Sequence, residues 1–364
     1  MVLLRSFGAA CLFVLAATTA ANACSPTHSV VRGDTLWEIA SDEMGSGWNY
    51  PQIFESNRDV IRNPNLIYIG DELDIPCKTG VLGEIDWSIM PTAEAFQLIS
   101  DAVKVQVVDI RSSKAVADGT LPGAISVPFD KWRGGAENPG LPRTEAEYEQ
   151  LIGAAGIRLD MPTLIVHAKD TPMSTGAGAY VYWLMKSLGG QELAILRGGF
   201  EAWEAADGEI AAKPAKPRPY TVDLAFDDTW RASEGDVWQV ASQRAPGVLL
   251  DARPHNVYNK LDSLGKAIAT TIPGARNLPA PPLMSALSVE FDIQDGVETV
   301  IDHYRGKDAL GHEGDIITFC HSGTMSALNW FYASELASIE NVRLYPESLV
   351  GWNQSFGVLA VGEG

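Results

Sequence analysis

The chain has 364 residues, with 27 Lys and Arg against 46 Asp and Glu, so its formal net charge is −19. That length holds two or three domains. So much negative charge argues against nucleic acid or an anionic membrane surface as a partner, and any anion site has to be built locally.

Residues 1–23 have the layout of a secretory signal. Arg5 opens it, residues 10–17 form a short apolar core, and Ala21-Asn22-Ala23 puts small residues around a cleavage point. The apolar core is too short to span a bilayer, and no later stretch is long enough to do so. The expectation is an exported protein, periplasmic or cell-wall associated, with no transmembrane segment. Cys24 becomes the first mature residue, which raises a lipid anchor, but Ala21-Asn22-Ala23 lacks the leucine of a lipobox. With Cys11 removed, Cys24, Cys77 and Cys320 remain, and an odd number leaves one thiol over in an oxidising compartment. Cys24 and Cys77 bracket a small module and are the candidate disulfide, which leaves Cys320 free.

Residues 28–77 form that module. Val30 starts a strand, Gly33-Asp34 turns, and Asp34 or Thr35 caps a helix carrying Leu36, Ile39 and Ala40. Residues 48–57 carry the next helical stretch, Asn63-Pro64-Asn65 makes a second turn, and residues 73–76 close the unit as a strand. This βααβ order resembles a LysM domain. The resemblance implies binding of N-acetylglucosamine-containing polymers, chiefly peptidoglycan. The loops it uses for sugar map to Gly33, Asp34, Thr35 and Leu36 and to Asn65, Leu66, Ile67 and Tyr68. A spacer without glycan affinity is the alternative.

The rest of the chain repeats itself. Residues 107–111 (VVDIR) match 249–253 (LLDAR), and 121–128 (LPGAISVP) match 272–279 (IPGARNLP). Residues 164–168 match 316–320, and 196–203 match 344–352. Short apolar strands alternate with helical patterns, which predicts α/β units with parallel sheets and helices on both faces. The Lys- and Pro-rich residues 212–219 read as the linker. The ordered set of an Asp-x-Arg strand end, a Pro-Gly-Ala turn, a strand-to-cysteine loop and a closing Gly-x-x-x-Trp resembles the tandem rhodanese (sulfurtransferase) family. It implies two rhodanese-like domains, 92–212 and 220–364.

In the second unit a β-branched run, Ile316-Ile317-Thr318-Phe319, stops at Cys320 and passes through a short loop into a helix. Main-chain N–H groups around such a turn favour a thiolate and can hold an anion beside it. The candidate nucleophile is Cys320, and the cradle is built by His321, Ser322, Gly323, Thr324, Met325 and Ser326. A small buried cysteine with no chemistry is the competing reading. The first unit has Ala168 at the matching position, so it is read as catalytically silent, and His167 as a strand-end residue rather than a general base. A phosphatase loop would end in arginine where this chain has Ser326, which disfavours phosphoryl transfer.

The resemblance implies that Cys320 takes sulfur from thiosulfate as a persulfide and gives it to cyanide or a thiol. 3-Mercaptopyruvate as donor, a sulfur-anion sensor and a persulfide carrier with little turnover are the alternatives. The family's substrate arginine falls on Val257, leaving Arg253, Lys260, Lys266 and Arg276 as candidates for the sulfonate. Of these Arg253 is weakest, because Asp-x-Arg pairs such as those of Asp109 and Asp251 are structural in that family. No His/Cys pair has metal-ligand spacing, so neither a metal nor a cofactor is expected.

Overall fold

The computed structural model describes residues 27–36, 39–40, 50–58, 60–63, 66–75, 90–102, 105–134, 140–169, 171–190, 192–264, 266–280, 293–311 and 313–362. The leader 1–23, both cysteines of the candidate disulfide (Cys24 and Cys77) and Asn65 lie outside them. The chain divides into two compact units, Met1–Glu84 and Ile85–Gly364. Among the described residues no helix is long and apolar enough to cross a membrane.

In the smaller unit, β1 (Thr27–Ser29) pairs antiparallel with β2 (Glu72–Asp74), Thr27 opposite Asp74. Val30, Leu36, Ile39, Ala40, Leu73 and Ile75 are buried together with Ile53 of helix α1 (Tyr50–Ser56). Asn57 ties the end of α1 to the sheet. Its amide donates to the carbonyls of Ile53 and Asp74, both at 2.7 Å, and accepts the Asp74 N–H at 2.7 Å.

The larger unit contains two four-stranded parallel sheets. The first has the order β4-β3-β5-β6, built from β3 (Gln106–Asp109), β4 (Ile125–Ser126), β5 (Thr163–Val166) and β6 (Leu193–Ile195). The second has the order β10-β9-β7-β8, built from β7 (Gly247–Asp251), β8 (Arg276–Asn277), β9 (Asp315–Phe319) and β10 (Val342–Leu344). Residues 106–109, 163–166, 248–251 and 316–319 are buried throughout, as expected of strands covered on both faces. The helices flanking the first sheet are α2 (Ala93–Ala102), α3 (Glu145–Ala155), α4 (Pro172–Ser187) and α5 (Gly199–Ala205). Those of the second are α6 (Glu234–Ala241), α7 (Ile293–Arg305), α8 (Thr324–Trp330) and α9 (Ser348–Ser355).

The two halves share one core. Trp132, Tyr148, Tyr180 and Trp183 of the first pack in a single cluster with Leu328, Trp330, Phe331 and Tyr332 of the second. Helix α4 meets α8 closely enough that a Cβ on Gly176 would come within 2.8 Å of the Thr324 carbonyl oxygen. The seam is also polar. Lys186 pairs with Glu335 at 2.8 Å, and the Tyr182 hydroxyl donates to the same carboxylate at 2.8 Å. The helix expected after the Cys320 loop divides into α8 and a wider π turn, Phe331–Leu336.

The composition-defined linker is not a free tether. Ala211 and Ala215 donate to the carbonyls of Thr120 and Ala124, each at 2.8 Å, so the segment docks beside the edge strand β4.

Candidate functional site

Cys320 follows the last residue of β9, and only 3% of its surface is exposed. Its sulfur accepts the Gly323 N–H at 3.2 Å. Its own N–H donates to the Ser348 hydroxyl at 3.1 Å, and that hydroxyl donates on to the Tyr345 carbonyl at 3.0 Å. Gly323 caps α8 at φ +92°, a left-handed conformation. A Cβ there would sit 2.6 Å from the Pro346 carbonyl oxygen and 3.2 Å from the Tyr180 ring. The Ser326 hydroxyl donates to the Gly323 carbonyl at 3.1 Å, and the Ala327 N–H donates to it at 2.9 Å. The first-turn amides of Thr324, Met325 and Ser326 thus precede the first helical hydrogen bond. Of the cradle residues His321 is exposed, Ser322 and Met325 are half-buried, and Thr324 and Ser326 are buried.

The sequence-predicted cations are not in this loop. Arg253 is committed to Asp251, which accepts its Nε at 2.9 Å and its Nη2 at 2.6 Å, while Nη2 also donates to the Thr270 carbonyl at 2.8 Å. The first half repeats the motif with Arg111 on Asp109 at 2.7 Å, so the pair is a structural clamp and Arg253 is withdrawn as a sulfonate ligand. Arg276 donates Nη1 to the carbonyls of Lys307 and Asp308, which fastens β8 to the chain after α7. Lys260 and Lys266 are exposed on a hairpin closed by the Leu261–Ala267 bridge. Among the described residues, no hydrogen bond or ion pair joins any of these four to residues 320–326.

What does reach the loop comes from the other half. Arg133, 8% exposed, donates Nη1 to the Thr324 hydroxyl at 3.3 Å and Nη2 to the carbonyls of Ser322 and Gly140. Its guanidinium lies 4.6 Å from the centre of the Tyr180 ring. Linear pattern gave no signal for it, because Arg133 and Ser322 are 189 positions apart.

Strand register corrects one sequence equivalence. Asp109 pairs with Val166 as Asp251 pairs with Phe319, so His167, not Ala168, stands where Cys320 stands. The loop hydrogen bonds agree. Phe200 N–H donates to the His167 carbonyl at 2.8 Å, as Leu349 N–H does to Cys320 at 3.2 Å. Three residues separate His167 from the helix cap Thr171, whereas two separate Cys320 from Gly323, and this one-residue difference misled the sequence comparison.

The first-half cradle is filled from within. The amides of Ala168 and Lys169 donate to the Ser174 hydroxyl at 3.1 and 3.3 Å. His167 Nδ1 lies 3.1 Å from the Lys169 carbonyl oxygen, and burial pulls the imidazole down to about 4, so it is neutral near pH 7.

In the smaller unit, the Gly70 N–H donates to the Val30 carbonyl at 2.8 Å, which sets the 31–36 loop beside the 66–70 loop. Leu66 and Tyr68 are 50% and 62% exposed, whereas Leu36, expected at the sugar, is 3% exposed and belongs to the core. Gly33 and Thr35 are exposed and Ile67 is half-buried. Asp34 is held by His28 Nε2 at 2.9 Å and accepts the Val31 N–H at 2.8 Å; both bonds, led by that from His28, lower its carboxyl below the usual value.

Comparison with known proteins matches residues 92–206 and 236–355 to the rhodanese-like domain and residues 28–76 to the LysM domain. A putative thiosulfate sulfurtransferase of Haloferax volcanii is 27% identical over 284 residues, covering 76% of this chain and 94% of that protein. A thiosulfate sulfurtransferase of Azotobacter vinelandii is 28% identical over 239 residues, covering 65% and 83%. Among solved structures, the 3-mercaptopyruvate sulfotransferase SseA from Escherichia coli has a TM-score of 0.58 at 20% identity, covering 72% of this chain and 98% of that one. An anaerobic ergothioneine biosynthesis enzyme from Chlorobium limicola has a TM-score of 0.60 at 16% identity, covering 76% and 70%.

Proposed function

We propose, for a chain that belongs to the rhodanese family and carries a LysM domain ahead of two rhodanese-like units, that Cys320 carries sulfane sulfur from thiosulfate to a thiol or to cyanide. The Cys320 thiolate attacks the outer sulfur of thiosulfate. The S–S bond breaks, sulfite leaves with the bonding pair, and a persulfide remains on the enzyme. An acceptor nucleophile then attacks the outer sulfur and Cys320 leaves as thiolate, so one transfer becomes two displacements. The observation that carries this reading is the Gly323 N–H on the Cys320 sulfur, at the start of α8. Support also comes from the relatives named for thiosulfate sulfur transfer. A cyanide assay with thiosulfate tests it. Wild type forms thiocyanate and, treated with donor alone, gains the mass of one sulfur atom; Cys320→Ser does neither. Thiocyanate formed only from 3-mercaptopyruvate replaces the donor, and tight anion binding without turnover makes the protein a sensor.

We further propose that the protein is exported and that its LysM module holds it at peptidoglycan. The exposed Tyr68 and Leu66 beside the 31–36 loop give an apolar surface of the kind that stacks on sugar rings. Sedimentation with purified peptidoglycan tests this, against protein lacking residues 24–77.

A further inference from the structure

Residues 321–326 contain no Lys or Arg, and the chain as a whole is strongly anionic. A loop that handles a divalent anion nonetheless needs positive charge close by, and among the described residues Arg133 is the cation hydrogen-bonded to this one. Arg133 is buried at the seam of the two halves, and among the described residues no carboxylate forms an ion pair with it. Arg231 nearby is paired instead, with Glu347 at 2.6 Å. Burying a guanidinium is costly unless hydrogen bonds meet it, and here the described partners are neutral oxygens. Here the charge is directed at the cysteine loop. Arg133 bonds the Ser322 carbonyl and the Thr324 hydroxyl, the residues on either side of Gly323, whose N–H is on the sulfur. Its approach is fixed. Trp132 donates Nε1 to the Val127 carbonyl at 2.9 Å, the Tyr148 hydroxyl donates to the Trp132 carbonyl at 3.0 Å, and the Tyr180 ring backs the guanidinium. Gly140 lets its chain press on the loop, where a Cβ would lie 3.1 Å from Ser322 Cβ.

We propose that Arg133, from the half that has no cysteine, is the positioning residue of the Cys320 site, supplying the loop's missing positive charge and fixing the Gly323 amide on the sulfur. The proposal rests on the sulfur-transfer reading above and adds a second half to the site.

The test uses the full chain with Arg133→Met and Arg133→Lys. It reads the pH dependence of iodoacetamide labelling at the Cys320 peptide, alongside kcat and KM. Removing the charge in Arg133→Met moves the labelling midpoint up by about one pH unit and lowers kcat about ten-fold. Arg133→Lys keeps the midpoint within a few tenths of a unit of wild type, yet loses several-fold in kcat, because one ammonium cannot span both partners. A midpoint and kcat equal to wild type in Arg133→Met overturns the proposal. So does a midpoint in Arg133→Lys displaced as far as in Arg133→Met, which leaves Arg133 a packing residue only. If Arg133→Met does not fold, the lysine variant decides: a wild-type midpoint with reduced kcat supports the proposal, and a raised midpoint overturns it. Labelling does not require turnover. A wild type that forms no thiocyanate and gains no sulfur therefore defeats the sulfur-transfer reading, while the midpoints still decide the role of Arg133.

Discussion

Cys320 and His167 hold the same place in two copies of one strand-loop-helix unit, and the two loops use their amides differently. Around Cys320 the Ser326 hydroxyl turns away and donates to the Gly323 carbonyl; around His167 the Ser174 hydroxyl takes up two loop amides. Installing a thiol is therefore not enough. The double variant Cys320→Ser, His167→Cys is expected to form no thiocyanate above the Cys320→Ser background in the cyanide assay, because the amides that would hold an anion are already used. His167 also imprints a pH dependence on stability. Its folded value of about 4 lies below the ordinary 6.5, so the unfolded chain binds the extra proton between these limits. Its contribution is fully present above pH 6.5 and is lost as pH falls toward 4, in all about 3 kcal/mol. Urea unfolding of His167→Asn across that window is expected to show a flatter acid limb than wild type.

At the scale of the element, the cysteine loop depends on backbone that few side chains tolerate. Gly323 at φ +92° faces both the handedness penalty and the Pro346 carbonyl oxygen at 2.6 Å. Gly323→Ala is expected to cost about 2 kcal/mol or more in chemical denaturation and to lower thiocyanate formation more than ten-fold, since the amide on the sulfur has to move. This loop was legible in the sequence because its parts are contiguous: a β-branched run, a cysteine, small residues, then a helical pattern. Contiguity is also why Arg133 was not legible. Nothing near Ile125-Ser126-Val127-Pro128 announces that an arginine five positions on will bond Ser322, since that contact exists only once the two halves pack. Arg253 and Arg276 misled for the complementary reason. Both are cations at suitable points of the second unit, but Asp251 and the carbonyls of Lys307 and Asp308 take them first.

For the molecule as a whole, the repeat and the small βααβ unit were readable as periodicities, whereas the shared core between the halves was not. The stretch after Ser326 reads only as the start of a helix, yet Leu328, Trp330, Phe331 and Tyr332 are buried in one cluster with Trp183 and Tyr180 of the other half. Residues 220–364 expressed alone should thus bind a hydrophobic dye strongly and give no thiocyanate, because that surface and the Arg133 contact are both lost. Removing residues 24–77 should leave kcat within about two-fold of the full chain and abolish sedimentation with peptidoglycan, since that module has its own core.

Gly176 carries a consequence for which substitutions the first half tolerates. It belongs to the half that holds His167 where the other holds Cys320, yet its missing side chain decides how near its helix comes to Thr324. A single methyl group there would press on the first turn of α8 in the other half. A position 144 residues before Cys320 in the chain thus bears on the turn that follows the cysteine.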